Sequence, residues 1–257
     1  KGILGEDQYQ KIKKNLFCQP EDPDDKDFYI NFHPNKTVGY ERCDAAFPIP
    51  EWIPMTFPPS SKMNMDDVCS YTCADEQNGD EVLIKTTSGV VGDRAALNSL
   101  VPRTAVDQQI INLVVERANW MIDGIGTSKT VWFFPTEFAQ YALNQNYETA
   151  YVLDLYKDKY MSTKSYVSKI FIPLNDEGVH WYLLVVDFFE QKLIWLDSLR
   201  SDERRQKRRH VILKMAMFIE EMLHEKALDE LRPHIAHKMV TNFCLDEHST
   251  PRQRIGS

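Results

Sequence analysis

The sequence has little glycine, 10 residues in 257, which excludes a collagen-like repeat. It has no apolar run approaching the roughly 18 residues that a membrane-spanning helix needs. It also lacks an excess of positive charge. Lys and Arg number 30 against 38 Asp and Glu, for a net charge of -8. That balance argues against a general nucleic-acid binder, which needs a basic surface to displace counterions. Cysteine is scarce as well: five residues, at positions 18, 43, 69, 73 and 244. An odd, scattered set supports no disulfide framework and fits the nucleus or cytoplasm, where thiols stay reduced. Cys69 and Cys73 stand at a spacing open to zinc, but no His lies near them, so structural or incidental thiols are favoured and no metal is expected. With 43% hydrophobic and 11% aromatic residues, wholesale disorder is excluded.

The charge is unevenly placed. Residues 1–92 carry 9 basic and 16 acidic groups, whereas residues 93–257 carry 21 and 22. The acidic third also holds the proline-dense stretch Phe47-Pro48-Ile49-Pro50-Glu51-Trp52-Ile53-Pro54, which blocks regular helix and interior strand. The expected organisation is an acidic, Pro-rich segment over 1–93, irregular apart from one short helix near Tyr9–Leu16, followed by a folded domain over 94–257.

From about residue 94 the apolar pattern becomes regular. Val106, Ile110, Ile111, Val114, Val115 and Ala118 recur at three- and four-residue intervals and predict one helical face, with Thr104 as its N-cap. Pro135 opens a second helix through Leu143. Lys169–Leu174, His180–Phe188 and Leu193–Leu196 are short and rich in Val, Ile, Tyr and Trp, so they read as strands, with a turn over Asn175–Gly178. Apolar residues on both faces predict strands covered on both sides. Ser201 caps a long helix to about Leu231, stopped by Pro233, with an apolar stripe of Val211, Ile212, Met215, Phe218, Ile219, Met222 and Leu223. The basic cluster Arg204–Arg209 at its start reads first as a solvated face, with an acidic-partner contact or a nuclear-import patch as sharper readings.

His180 opens one predicted strand and Asp197 closes the next. In an antiparallel hairpin the two are opposed or offset by two residues, close enough for the carboxylate to reach the imidazole. A carboxylate on one ring nitrogen fixes the tautomer and leaves the other nitrogen to face a thiol or hydroxyl. Spacing alone favours a strand-edge His and a turn Asp with no shared purpose.

The surroundings of the pair add to this. Ile172-Pro173-Leu174-Asn175, His180-Trp181-Tyr182-Leu183 and Trp195-Leu196-Asp197-Ser198-Leu199 together closely resemble the Ulp1/SENP-type cysteine proteases, most of all the plant members. The similarity spans roughly residues 94–200. The resemblance implies an α+β, papain-like fold, with a central, mostly antiparallel sheet flanked by helices. It further implies a Cys-His-Asp triad that cleaves after the Gly-Gly tail of a ubiquitin-like, SUMO-like protein, with no cofactor. His180 would then be the general base and acid, Asp197 its orienting partner, and Trp181 a cover over the tunnel that admits the tail. For the nucleophile the family uses an Asp-Cys-Gly at a helix start, preceded by a Gln. The one downstream cysteine is Cys244, 47 residues after Asp197, with Asn242-Phe243 before it and Leu245 after it, and Lys238 at the expected Gln position. The expectation is therefore a C-terminal part that is atypical or cut short, with Cys244 as the candidate nucleophile. The alternatives are an inactive, transposon-derived or ubiquitin-like-protein-binding member of the same fold, and a helical adaptor that uses its charged segments as contact surfaces.

Overall fold

The computed structural model describes residues 62, 65–74, 78–100, 104–124, 130–161, 167–178, 180–225, 238–248 and 250. The expected helix near Tyr9–Leu16 and the proline-dense stretch lie outside the described residues.

The described chain begins with a helix, α1 (Met65–Thr72), and a two-stranded antiparallel hairpin, β1 (Val82–Lys85) and β2 (Val91–Asp93). Asp93 caps the five-residue helix α2 (Arg94–Asn98), its carboxylate accepting the Ala96 N–H at 2.7 Å. Arg94 is buried and ties these pieces together. Its guanidinium donates to Glu81 Oε2 at 2.6 Å and to the carbonyls of Tyr71 and Thr72, and lies over the Tyr71 ring. Helix α1 and the β1–β2 hairpin thus pack on the elements that follow them. Gly92 is required by close approach, because a Cβ there would sit 2.6 Å from Leu113 Cδ1 of the next helix.

That helix, α3 (Gln108–Gly124), starts later than its apolar periodicity indicates. Asp107 supplies the cap, accepting the Gln109 N–H at 2.7 Å, while Thr104 donates its hydroxyl to the Ser99 carbonyl instead. An aspartate one position before the helix satisfies an orphan N–H, and Thr104 stands too far out to reach one. Next come β3 (Val131–Phe133), α4 (Thr136–Leu143) and α5 (Thr149–Tyr160). Pro135 stands at the N-cap of α4, one residue outside the predicted start. Helix α5 has a weak apolar signature, since it buries tyrosines (Tyr156 and Tyr160) beside Val152 and Leu153.

The central sheet has the order β3-β4-β5-β6-β7, with β4 (Lys169–Asp176), β5 (His180–Asp187), β6 (Lys192–Leu196) and β7 (Cys244–Asp246). The three long strands pair antiparallel, and both edge strands pair parallel to their neighbours. Strand β4 runs two residues beyond the predicted Leu174, because Asp176 pairs with His180. Glu177 and Gly178 make the turn with φ of 55° and 79°, a left-handed conformation that Gly adopts freely. Pro173 is tolerated within β4 because β3 pairs only as far as Phe171, leaving β4 one neighbour there. The long helix α6 (Asp202–His224) ends before the predicted Leu231, with Glu225 in an extended conformation at its C-cap.

The sheet's two faces differ. One carries Ile170, Ile172, Leu174, Tyr182, Leu184, Val186, Leu193 and Trp195, all buried against α4, α5 and α6. Ile212, Met215, Ile219 and Met222 of α6 fill the same core, as their spacing indicates. The other face carries Phe171, Leu183 and Leu196, which are only half-buried. Coverage on both sides, expected from the sequence, is complete on one side and partial on the other, where Pro173 and Val185 are buried. On the second, α3 and the sheet leave a groove of about 510 Å³ lined by Ile111, Val114, Phe133, Phe171, Leu183 and Leu196 among others.

This asymmetry has a thermodynamic signature. Leu184→Ala, on the sealed face, should cost about 2–5 kcal/mol, as full burial of a core leucine dictates. The neighbouring Leu183→Ala, on the groove face, should cost less than half as much, because that side chain is already partly wet. Urea denaturation of the two variants checks this, and equal losses would contradict the assigned faces.

Candidate active site

The site is built where β5 begins and β6 ends. Leu183 pairs with Leu196, so the register carried outward sets Asp197 opposite Tyr182, two residues from His180. The diagonal is spanned by side chains. His180 Nε2 lies 2.8 Å from Asp197 Oδ1, and both residues are buried. Of the two geometries open from the sequence, the offset pairing is the one adopted.

Three donors hold Asp197. Oδ1 also accepts the Leu199 N–H at 2.9 Å, and Oδ2 accepts Arg208 Nη1 at 2.6 Å. Burial pushes the carboxyl's pKa up, but the hydrogen bonds from His180, Arg208 and Leu199 outweigh it, so Asp197 is held below the usual carboxylate range. An ionised carboxylate can only accept. Neutral His180 therefore carries its proton on Nε2, and its lone pair sits on Nδ1. Among the described residues, Nδ1 has no hydrogen-bond partner. That atom is the one free to take a proton from a reacting group.

Adjacent residues on a strand face opposite ways, and the His-Trp dipeptide uses both directions. His180 turns to the α6 side, where Arg208 and Asp197 meet. Trp181 turns to the groove and is anchored by Nε1–H donation to the Val106 carbonyl at 2.7 Å. Asp197, Ser198 and Thr250 complete the groove's end, and Thr250 donates its hydroxyl to the Asp197 carbonyl.

The structure does not bring Cys244 to this pair. Cys244 is exposed and opens β7 beside Lys192, the first residue of β6. Because β7 runs parallel to β6, its first residue lies at the end of the sheet away from Asp197. Lys192 and Asp197 are five residue steps apart, roughly 16 Å at 3.3 Å per step. Cys69 lies on α1 and Cys73 just past its end. Among the described residues no group of three or more His, Cys, Asp and Glu side chains is placed to hold a metal ion, and no helix is long and apolar enough to cross a membrane.

Two residues of the site were not anticipated. Asp176 lies directly across from His180 on β4 and is buried, and Arg208 of α6 bridges Asp176 and Asp197. The basic cluster expected to be solvated is largely committed to carboxylates. Arg204 pairs with Asp176 at 3.1 Å, Arg205 with Glu247 at 2.8 Å, and Lys207 with Glu177. These acidic neighbours offset the unfavourable position of cations at a helix start. A signal for Arg208 existed, since it falls in phase with the stripe Ile212, Met215, Ile219 and Met222.

A buried His–Asp pair with one imidazole nitrogen left for a reacting group defines the acid–base half of a nucleophilic hydrolase. The description of the Ulp1 protease family, C-terminal catalytic domain, matches residues 128–256, half of the chain and all of the central sheet. The chain belongs to the Ulp1 protease family. In three dimensions it is similar to the C-terminal Ulp1 protease domain solved in complex with Smt3, the yeast ortholog of SUMO. The TM-score is 0.55 at 17% identity, covering 76% of this chain and 77% of that one. It is likewise similar to SUMO protease Ulp1 solved with its catalytic cysteine oxidised to a sulfenic acid, with a TM-score of 0.54 at 16% identity, covering 80% and 79%. At these identities the likeness establishes the α+β protease fold. Among curated proteins none matches the sequence.

Asp176 and Asp197 both have carboxyl pKa values below the ordinary range. Their stabilisation is complete above the unfolded-state value of about 3.9 and is lost as pH falls through the lower folded values. Asp197→Asn should therefore flatten the acid limb of stability against pH, below about pH 4. Chemical denaturation across that range tests this, and an acid limb as steep as the parent's would show that Asp197 is not held ionised.

Proposed function

We propose that this chain is a cysteine-type peptidase of the Ulp1 family that acts on the Gly-Gly tail of a ubiquitin-like, SUMO-like protein. The observation that carries the reading is the Nε2–H···Asp197 bond, which leaves His180 Nδ1 as a proton acceptor within the family's catalytic domain. In this reading a thiol gives its proton to Nδ1, and the thiolate attacks the carbonyl carbon of the terminal glycine. The imidazolium then protonates the leaving amine as the C–N bond breaks, leaving a thioester. Water, deprotonated by Nδ1, attacks the thioester, and the thiol is released with its proton restored. Asp197 holds the ring and stabilises the imidazolium throughout. No metal or organic cofactor enters these steps.

The groove supports a narrow, apolar-lined path beside the pair, with Trp181 as one wall. Cys244 as placed does not serve Nδ1, so it is not assigned as the nucleophile here. That placement favours a second reading for the chain in this form: recognition of the ubiquitin-like partner without hydrolysis. Scattered free thiols support a site of action in the nucleus or cytoplasm, and the sequence resemblance to plant members supports a plant-type enzyme.

Two measurements separate the readings. Binding of a SUMO-like protein ending in Gly-Gly should exceed binding of the same protein lacking those glycines, and Trp181→Ala should weaken it. No discrimination between the two ligands would overturn both readings. Cleavage of a Gly-Gly-linked fusion, abolished in His180→Gln and reduced about 10⁴-fold in Asp197→Asn, would establish the peptidase. Tail-dependent binding without cleavage would establish the binder.

A further inference from the structure

We propose that Arg208 is the positioning residue of the His180–Asp197 pair, fixing His180 in its Nε2–H tautomer by engaging both carboxylates that flank the imidazole. The proposal rests on His180 being the base, and deepens that reading.

Two buried carboxylates compete for His180. Asp197 reaches Nε2 from the β6 side, while Asp176 stands directly across on β4 in the paired position. The guanidinium of Arg208, itself buried, separates their roles. Its Nε donates to Asp176 Oδ2 at 2.9 Å with Nη2 ion-paired 2.8 Å from the same oxygen, its Nη1 donates to Asp197 Oδ2 at 2.6 Å, and Nη1 also reaches the Leu199 carbonyl at 2.7 Å. Asp176 is thereby turned toward α6, where Arg204 adds a further contact. Asp197 is held by one oxygen so that the other meets His180. A planar fork with donors in fixed directions can do this, whereas a lysine ammonium is a point charge.

The chemical consequence is a choice of tautomer. Without the cation, only the His180 and Leu199 donors oppose burial, and Asp197 shifts toward its protonated form. A protonated carboxyl donates, and the Nε2 lone pair would then accept. The imidazole proton would move to Nδ1, the atom needed as the acceptor, and the base would be lost. Arg208 thus acts on the reaction through Asp197 and never through the substrate. Tyr182, beneath the guanidinium with its ring centroid 5.7 Å from Cζ, completes the enclosure.

The test reads the tautomer directly and needs no turnover. In the ¹⁵N-labelled full chain, at a pH where the imidazole is neutral, the His180 ring nitrogens are assigned by difference from His180→Gln. The parent should show one protonated nitrogen, Nε2. Arg208→Met should lose this single-tautomer pattern, with Nδ1–H appearing, and Arg208→Lys should recover it only in part. Since Arg208→Met strands two buried carboxylates, Arg208→Met/Asp176→Asn keeps the net charge of the cluster and is the variant to use if the single change unfolds. A folded variant without Arg208 that retains the parent's Nε2–H pattern would overturn the proposal, and so would full recovery by Lys. Absence of peptidase activity in the parent would sink the functional reading and leave the tautomer result standing.

Discussion

A guanidinium shut between two carboxylates is tolerated in a protein interior only when every charge finds its partner. Arg208 meets that condition, with Asp176 on one side, Asp197 on the other and the Leu199 carbonyl at its tip. Removing one member of such a cluster costs about 3–5 kcal/mol, because the remaining charge is left buried and unpaired. The interaction joins three separate elements: the end of β4, the end of β6 and the first turns of α6. The His180–Asp197 geometry follows from that junction. So does the closeness of α6 to the sheet, which lets Ile212, Met215 and Ile219 reach the core.

The two faces of the sheet divide the work. The sealed face supplies stability, through large side chains such as Trp132, Phe134 and Phe138, with the last two rings stacked at 3.9 Å. The groove face gives up burial to leave room beside Trp181 and Asp197. Val114 of α3 shows the cost, since it lies on the helix's apolar stripe yet is 61% exposed.

Much of this was legible in the sequence. The strands at 169, 180 and 193, the helix at Pro135 and the core stripe of α6 all follow from periodicity and composition. The His180–Asp197 pairing follows from hairpin geometry once the strands are known. What stayed hidden has common physical causes. Helix α5 buries tyrosines, whose amphipathic rings blur the apolar pattern. Arg208 reads as a surface residue because its partners come from other elements, and only its phase with Ile212 betrays it. Cys244 looked well placed by interval, but strand polarity decides which end of a sheet a residue reaches. A parallel edge strand put it at the wrong end, and nothing local in Asn242-Phe243-Cys244-Leu245 encodes that direction.

The tight turn at Glu177 and Gly178 carries a consequence for how this site can vary. A strand has a parity: odd positions look one way and even positions the other. The turn sets that parity for β5, sending His180 toward Arg208 and Trp181 toward the groove. A one-residue slip of the β5 register would exchange the two side chains, placing an indole among the carboxylates and an imidazole in the groove. The sheet could still hydrogen-bond, since its ladder is indifferent to side chains, but its chemistry would be turned inside out. Changes at this loop are therefore admissible only where the turn absorbs them and the register of β5 is kept.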